Sequence, residues 1–303
     1  MEYGRIISES FRISWRYKSL WVFGLFAGSI GTGFSFDPSS RDMFTGRDGL
    51  REAIESAGSV IGLEFVFAWV IVIAIIGLVL MAIHLVCLPA LIDGVNKIKR
   101  GGLFQLSSSF SAGLDFFWRF LGLAMISIMI AALGFGLSVV VGLALPDVDS
   151  AILVIMAFLL LPVTMFIGFV LTSIFTLAQR AMVVRDVGIA DGLHEGFELF
   201  RRNFLKCLVI FLIYIGASIG VAFGAILILG IVAIPMVLLA LVTESAWILF
   251  VILGFIVGFP LLLVMIAFAT TLLQNLYTLF YFELVEPGGQ APPVETAPAT
   301  PLA

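Results

Sequence analysis

Residues Phe65 to Ile92 read FVFAWVIVIAIIGLVLMAIHLVCLPALI and contain no Asp, Glu, Lys or Arg. About 20 consecutive apolar residues in a helix are enough to cross the hydrocarbon core of a bilayer, so this stretch predicts a transmembrane helix. A shorter, glycine-rich stretch from Ser19 to Phe36 predicts another. Four more stretches lack those charged residues: Phe120–Pro146, Ser150–Gln179, Cys207–Thr243 and Ser245–Phe282. The sequence therefore predicts an all-α membrane protein with six transmembrane helices.

The composition of the 303-residue chain excludes a water-soluble globular domain. Its hydrophobic share is 61% and its charged share 12%, whereas soluble domains average roughly 45–50% and about 25%. A transmembrane β-barrel is excluded as well, because its strands alternate apolar and polar residues and these stretches do not. The net charge of -4 argues against a nucleic-acid partner. Cys87 and Cys207 lack the spacing of a disulfide framework or a zinc site, so we expect reduced cysteines and no cofactor.

Lysine and arginine residues are concentrated on one predicted side of the membrane. They lie before the first span, between the second and third, and between the fourth and fifth: Arg5, Arg12, Arg16, Lys18, Lys97, Lys99, Arg100, Arg119, Arg180, Arg185, Arg201, Arg202 and Lys206. By the positive-inside rule, both termini and these connections are predicted to be cytoplasmic. Residues 287–303, rich in Pro, Gly, Ala and Thr, predict a disordered cytoplasmic tail after a transmembrane domain of residues 1–286.

Three segments that precede membrane spans align without gaps. ISESFRISWR, FSAGLDFFWR and LHEGFELFRR share apolar positions, and they end at Arg16, Arg119 and Arg202. Apolar residues four apart form one stripe of a helix, as in amphipathic helices at the membrane interface. We therefore predict three pseudo-repeats, each an interfacial amphipathic helix plus a transmembrane hairpin, at about residues 1–101, 102–188 and 189–286. Because the unit recurs, its first copy is read as a span rather than as a cleaved signal peptide.

The third copy shows the amphipathic pattern most clearly. Its apolar face holds Ile189, Leu193, Phe197 and Phe200. Its opposite face holds Asp191, His194, Glu195, Glu198 and Arg202. That spacing is able to gather metal ligands, but charged helix faces are usually solvated. We therefore predict a solvent-exposed face and no metal site.

Glycines recur four residues apart in three of the predicted spans. They are Gly24 and Gly28, then Gly216, Gly220 and Gly224, then Gly254 and Gly258. Such stripes let helix backbones approach closely inside a membrane. We expect these contacts within one six-helix bundle, and the alternative is a homodimer seam along the second and longest stripe.

Two ionisable side chains are predicted within the membrane or at its edge. Glu64 lies at the outer end of the second span, where its side chain can reach head-group water. His84 lies about 30 Å further along the same helix and is predicted to be a neutral, hydrogen-bonded core residue. Other polar residues near the inner helix ends either line a cavity or bond between helices: Gln179, Gln274, Asn275, Thr172, Thr176, Thr270 and Thr271.

The runs YGRIISESFRISWRYKSLWVFGLFAG (residues 3–28) and AMVVRDVGIADGLHEGFELFRRNF (residues 181–204) resemble a broad group of bacterial six-helix integral membrane proteins. That group includes the membrane domain that precedes the catalytic part of some glycerophosphodiester phosphodiesterases. The resemblance implies a bacterial cytoplasmic membrane and an accessory role. It carries over no catalytic residue, because the metal-binding barrel of those enzymes has no counterpart in this sequence.

No nucleotide-binding, hydrolase or metalloprotease motif occurs in the sequence, so we expect no enzymatic activity. The expected function is a scaffold or accessory subunit that engages membrane lipids, or a partner membrane protein, through Arg16, Arg119 and Arg202. The alternative is a small-solute transporter or channel, which requires a hydrated cavity that reaches Glu64 or His84.

Overall fold

The computed structural model describes residues 3–28, 63–102, 104–144, 150–242 and 247–286. Within these ranges every regular element is an α-helix and no strand occurs. The helices are α1 (Tyr3–Arg16), α2 (Leu20–Gly28), α3 (Leu63–Lys99), α4 (Leu106–Asp115), α5 (Phe117–Ala144), α6 (Ser150–Arg185), α7 (Ile189–Arg202), α8 (Phe204–Val242) and α9 (Trp247–Val285).

Five of these helices, α3, α5, α6, α8 and α9, are long and apolar enough to cross a membrane. The candidate membrane spans within these helices are Phe67–Lys99, Phe117–Gly136, Phe158–Arg185, Phe204–Ile231 and Ile256–Val285. The chain is therefore a multi-pass α-helical membrane protein. α2 is the described part of the remaining predicted span, and the rest of that span lies outside the described residues.

α3 and α6 extend beyond the uncharged stretches of the sequence that predict them, Phe65–Ile92 and Ser150–Gln179. Each helix ends close to a residue whose backbone adopts a positive φ. For α3 this residue is Gly101, at φ 75°. The N–H groups of Gly101 and Gly102 donate to the carbonyls of Ile98 and Lys97 at 3.1 and 2.9 Å, which is the Schellman pattern of a helix C-terminus. For α6 it is Asp186, at φ 54°. The extended ends carry charged residues that the hydropathy pattern assigns to loops.

The buried core lies at one end of the molecule, where the C-terminal halves of α3, α6 and α9 meet. Leu91, Ala181 and Tyr281, one from each helix, are fully buried there. In contrast, residues 67–80 of α3 are exposed around the whole helix. An apolar surface of this kind is suited to contact with lipid acyl chains, which surround a helix in the hydrocarbon core of the membrane.

Each short helix that precedes a span packs against a different long helix. α1 contacts α9, α4 contacts α3, and α7 contacts α6. The three residues that align in the sequence, Ser10, Gly113 and Gly196, are all buried. A Cβ at Gly196 would lie 2.7 Å from the Ile174 carbonyl oxygen, so only glycine permits this approach of α7 to α6.

The face of α7 that contacts the protein coincides only in part with the predicted apolar stripe. Gly192, Gly196 and Phe200 are buried, whereas Phe197, which was assigned to the apolar contact face, is 50% exposed. The reason is steric, because the two glycines allow the α6 backbone to approach closely and a large side chain at either position would hold it away. The apolar stripe is therefore divided between the protein core and the outer surface.

Candidate functional site

A half-open cavity of about 530 Å³ lies between α3, α5 and α6, and Ser127 and Phe135 of its lining are exposed. Its lining extends along α5 from Phe120 to Phe135, which is about 22 Å at the helical rise of 1.5 Å per residue. This volume is within the range of roughly 300–1,000 Å³ that is usual for ligand pockets. The cavity is therefore large enough, and elongated enough, for a hydrocarbon chain.

The three helices line this cavity with residues at helical spacing. α3 contributes Met81, His84, Leu85 and Leu88, which stand at positions i, i+3, i+4 and i+7 and so lie on one face. The described polar residues of the lining are His84, Ser127 and Gln179, one from each helix, and its other described residues are apolar. The arrangement combines an apolar wall with a few polar groups, as small-molecule sites do.

His84 connects this cavity to α2. Its Nδ1 lies 3.1 Å from the carbonyl oxygen of Phe26, near the end of α2. A carbonyl oxygen only accepts, so Nδ1 carries the proton of this hydrogen bond. In the neutral ring Nε2 is then an unprotonated acceptor.

Arg180, which follows Gln179 on α6, is the largest fully buried side chain among the described residues, with 1% of its surface exposed. Its Nη1 donates to the Thr176 carbonyl at 3.0 Å and to the Gln179 Oε1 at 3.1 Å, and its Nη2 donates to the Gln274 Oε1. The guanidinium also lies 5.5 Å from the ring centroid of Tyr277. The prediction that Arg180 lies in a connection between spans is wrong, because α6 continues through this residue and α9 covers it.

Arg180 has no carboxylate partner within the described part of the chain. None of the described ion pairs includes it, and its Nε makes no hydrogen bond there. Its charge is held instead by two glutamine amides, a backbone carbonyl and an aromatic ring. A buried charge in a membrane protein usually marks a functional position.

Two other residues of the predicted polar set, Asn275 and Thr271, lie at contacts between helices. Asn275 Nδ2 donates to Ser14 Oγ at 2.9 Å and so joins α9 to α1. Thr271 Oγ1 donates to the Ala267 carbonyl at 2.7 Å and lies against Gly24 of α2. Both readings of this polar set therefore hold, because Gln179 lines the cavity whereas Asn275 bonds across helices.

The three aligned arginines occupy different environments. Arg16 is exposed and lies 6.0 Å from the ring centroid of Tyr17. Arg119 forms an ion pair with Asp186 in the α6–α7 connection. Arg202 pairs with Glu198 one turn earlier on α7, at 2.6 Å. Two of the three charges are therefore already shared with acidic side chains.

The acidic face of α7 was predicted to be solvent-exposed, but one of its residues, Glu195, contacts neighbouring helices. Glu195 accepts a hydrogen bond of 2.7 Å from the Tyr281 hydroxyl and lies 3.2 Å from Arg185, so it joins α7 to α9 and α6. Asp191 and His194 are exposed. Across the described ranges, His, Cys, Asp and Glu form no group of three that could hold a metal ion.

The glycine stripes divide into packed and open ones. Gly24 and Gly28 of α2 lie against Thr271 and Thr270 of α9. A Cβ at Gly216 or at Gly220 would meet no described atom within 4 Å, and at Gly224 it would meet only the Met265 sulfur at 3.9 Å. Expected packing inside the bundle is thus not found at Gly216 and Gly220 within the described residues.

Three predicted positions remain. Gly254 is half-buried and Gly258 is buried, both in α9. Glu64 lies in the first turn of α3, and its side chain is outside the described part.

Comparisons of the sequence with family models and with curated proteins, and of the structure with solved structures, found no match.

Proposed function

We propose that this chain is a non-enzymatic membrane protein that holds an amphipathic, lipid-class molecule in the cavity between α3, α5 and α6. The observation that carries the proposal is the composition of the lining, which is apolar apart from His84, Ser127 and Gln179 among its described residues. In this proposal, the hydrocarbon chain of the bound molecule lies along α5 and exchanges its contacts with membrane lipids for contacts with the apolar lining. The polar groups then select the head of the molecule.

The proposed architecture has six transmembrane helices in three pseudo-repeats, at about residues 1–101, 102–188 and 189–286. The contacts of the short helices support it: α4 packs on α3 and α7 on α6, each on the second span of the preceding repeat. α1 packs on α9, the last span, and so closes a ring of three. The cation distribution supports a cytoplasmic position for both termini, and the resemblance described above supports a bacterial cytoplasmic membrane.

In this proposal the chain acts as a scaffold or accessory subunit whose short helices also contact lipid head groups or a partner. Arg16 is the best placed of the three aligned arginines, because no acidic side chain in the described ranges pairs with it. Arg16→Glu should therefore reduce the anionic lipid that copurifies more than Arg202→Glu does, since Glu198 already neutralises Arg202. Native mass spectrometry of both variants measures this, and equal lipid loss contradicts the assignment of Arg16.

Filling the cavity tests the proposed function directly. Ala132→Phe places a ring in the cavity, whereas Leu133→Phe alters the next residue, which is 72% exposed and not part of the lining. With the protein in lipid nanodiscs, a diazirine-bearing alkyl probe should label α3, α5 and α6 of the wild type and of Leu133→Phe. Labelling of Ala132→Phe should fall about tenfold, the equivalent of 1.4 kcal/mol. Equal labelling of all three proteins overturns the proposal.

A small-solute transporter or channel is the second candidate, and one observation favours it, because the cavity reaches His84. The apolar lining favours an amphipathic molecule over a hydrophilic solute. Uptake of small hydrophilic solutes into proteoliposomes, lost on His84→Phe, would establish the transporter instead.

A further inference from the structure

The polar lining of the cavity has a definite hydrogen-bonding pattern, which begins with Gln179. Arg180 Nη1 donates to the Gln179 Oε1 at 3.1 Å. Because a guanidinium only donates, the amide must present its oxygen to Arg180, and the reversed orientation is excluded. The two N–H groups of the Gln179 amide nitrogen are then the ones left for the cavity, so α6 contributes a donor.

His84 contributes the opposite group from α3. Its Nδ1 lies 3.1 Å from the Phe26 carbonyl oxygen, and the Ala27 carbonyl is also within hydrogen-bonding reach of the ring. With Nδ1 protonated, Nε2 of the neutral ring carries no proton and can only accept. Ser127, on α5, carries a hydroxyl that both donates and accepts. The three helices thus offer one donor, one acceptor and one group of either kind.

No charged side chain belongs to the described lining of the cavity. The cation next to Gln179 is Arg180, which is 1% exposed and whose hydrogen bonds go to Thr176, Gln179 and Gln274. A phosphate or carboxylate head would find no ion partner in this lining, and any hydration that it lost against the apolar walls would be costly. A neutral head group avoids this cost.

From this pattern we propose that the cavity selects a neutral lipid alcohol, a long hydrocarbon chain that ends in a hydroxyl group. The Gln179 amide donates to the hydroxyl oxygen, and the hydroxyl donates to His84 Nε2. The hydrocarbon chain lies along α5 toward Phe135. This inference rests on the proposed function, because it specifies the head group of the molecule that the cavity holds.

Three diazirine probes of equal chain length test the head group on the wild-type protein in phosphatidylcholine nanodiscs: hexadecanol, hexadecane and hexadecanoate at alkaline pH. We expect hexadecanol to label the cavity helices about tenfold more strongly than the other two, as one additional well-formed hydrogen bond allows. If hexadecane or hexadecanoate labels as strongly as hexadecanol, the head-group assignment is wrong while the cavity proposal stands. If no probe labels these helices, the proposed function itself fails.

Two glutamine variants distinguish a direct contact between Gln179 and the ligand from an effect on the stability of the protein. Gln179→Leu and Gln274→Leu each remove one acceptor from Arg180, but Gln274 is not part of the lining. Gln179→Leu should lower hexadecanol labelling about tenfold and leave hexadecane labelling unchanged, whereas Gln274→Leu should change neither. Equal loss of hexadecanol labelling in both variants would mean that Gln179 acts only through Arg180, which overturns its role as a donor to the ligand.

Discussion

Arg180 is a buried cation that neutral groups stabilise. Three well-placed acceptors and the face of Tyr277 surround its guanidinium. Charge-assisted hydrogen bonds are roughly twice as strong as neutral ones, and a desolvated cation over an aromatic ring adds about 2 kcal/mol. The planar fork reaches Gln179 on its own helix and Gln274 on α9 at once, which a point charge on a flexible stem cannot do.

This geometry predicts that Arg180→Lys is more damaging than Arg180→Met. Lysine keeps the buried charge but loses the fork, so we expect it to lower the free energy of unfolding by about 3 kcal/mol. Methionine removes the charge altogether and should be less destabilising, although two glutamine oxygens lose a donor. Unfolding in mixed micelles measures both, with the exposed Arg185→Lys as the control. A lysine variant as stable as the wild type contradicts this account.

At the scale of elements, the contact between α2 and α9 depends on glycine. A Cβ at Gly24 would lie 2.6 Å from the Ala267 carbonyl oxygen, and it would also overlap the Thr271 side chain. Gly24→Ala should therefore cost about 1–3 kcal/mol, since backbone atoms have little room to move. Gly216→Ala is a matched change in an open stripe and should be neutral or slightly stabilising. Thermal unfolding of the two variants tests this, and equal destabilisation would count against the assignment.

The α6–α7 connection depends on a single residue with unusual backbone geometry. Asp186 has a φ of 54°, which Asp and Asn tolerate but β-branched residues do not. Its ion pair with Arg119 is largely exposed and is worth at most about 1 kcal/mol. Asp186→Asn should thus be mild, whereas Asp186→Val should lower stability by about 1–3 kcal/mol. Asparagine and valine variants of equal stability would show that the backbone geometry does not matter.

At the scale of the whole molecule, hydropathy predicts the long helices because crossing a bilayer demands long apolar segments. The role of Arg180 was missed because a count of cations treats it as part of a loop, although the apolar run Ala181, Met182, Val183 and Val184 follows it directly. The position and the walls of the cavity are not predictable from the sequence for another reason, since the walls come from three helices whose approach no single segment encodes. His84 was recognised, but its partner at Phe26 is 58 residues away.

The arrangement of the short helices predicts that Arg16 and Arg202, which end α1 and α7, face the same side of the membrane as Arg119, which lies in the first turn of α5. α1, α4 and α7 pack against α9, α3 and α6, whose C-terminal ends share one core. Single cysteines at Arg16, Arg119 and Arg202 should therefore react with a membrane-impermeant maleimide only in inside-out vesicles. Glu244 lies between the predicted spans Cys207–Thr243 and Ser245–Phe282, on the side opposite to the cation-rich connections, so Glu244→Cys should react only in right-side-out vesicles. The native Cys87 and Cys207 are buried and need no replacement unless the unmodified chain is labelled. Labelling of Arg119→Cys and Arg202→Cys from opposite sides would contradict the three-repeat architecture, because it would require α4 and α7 to lie at different membrane surfaces.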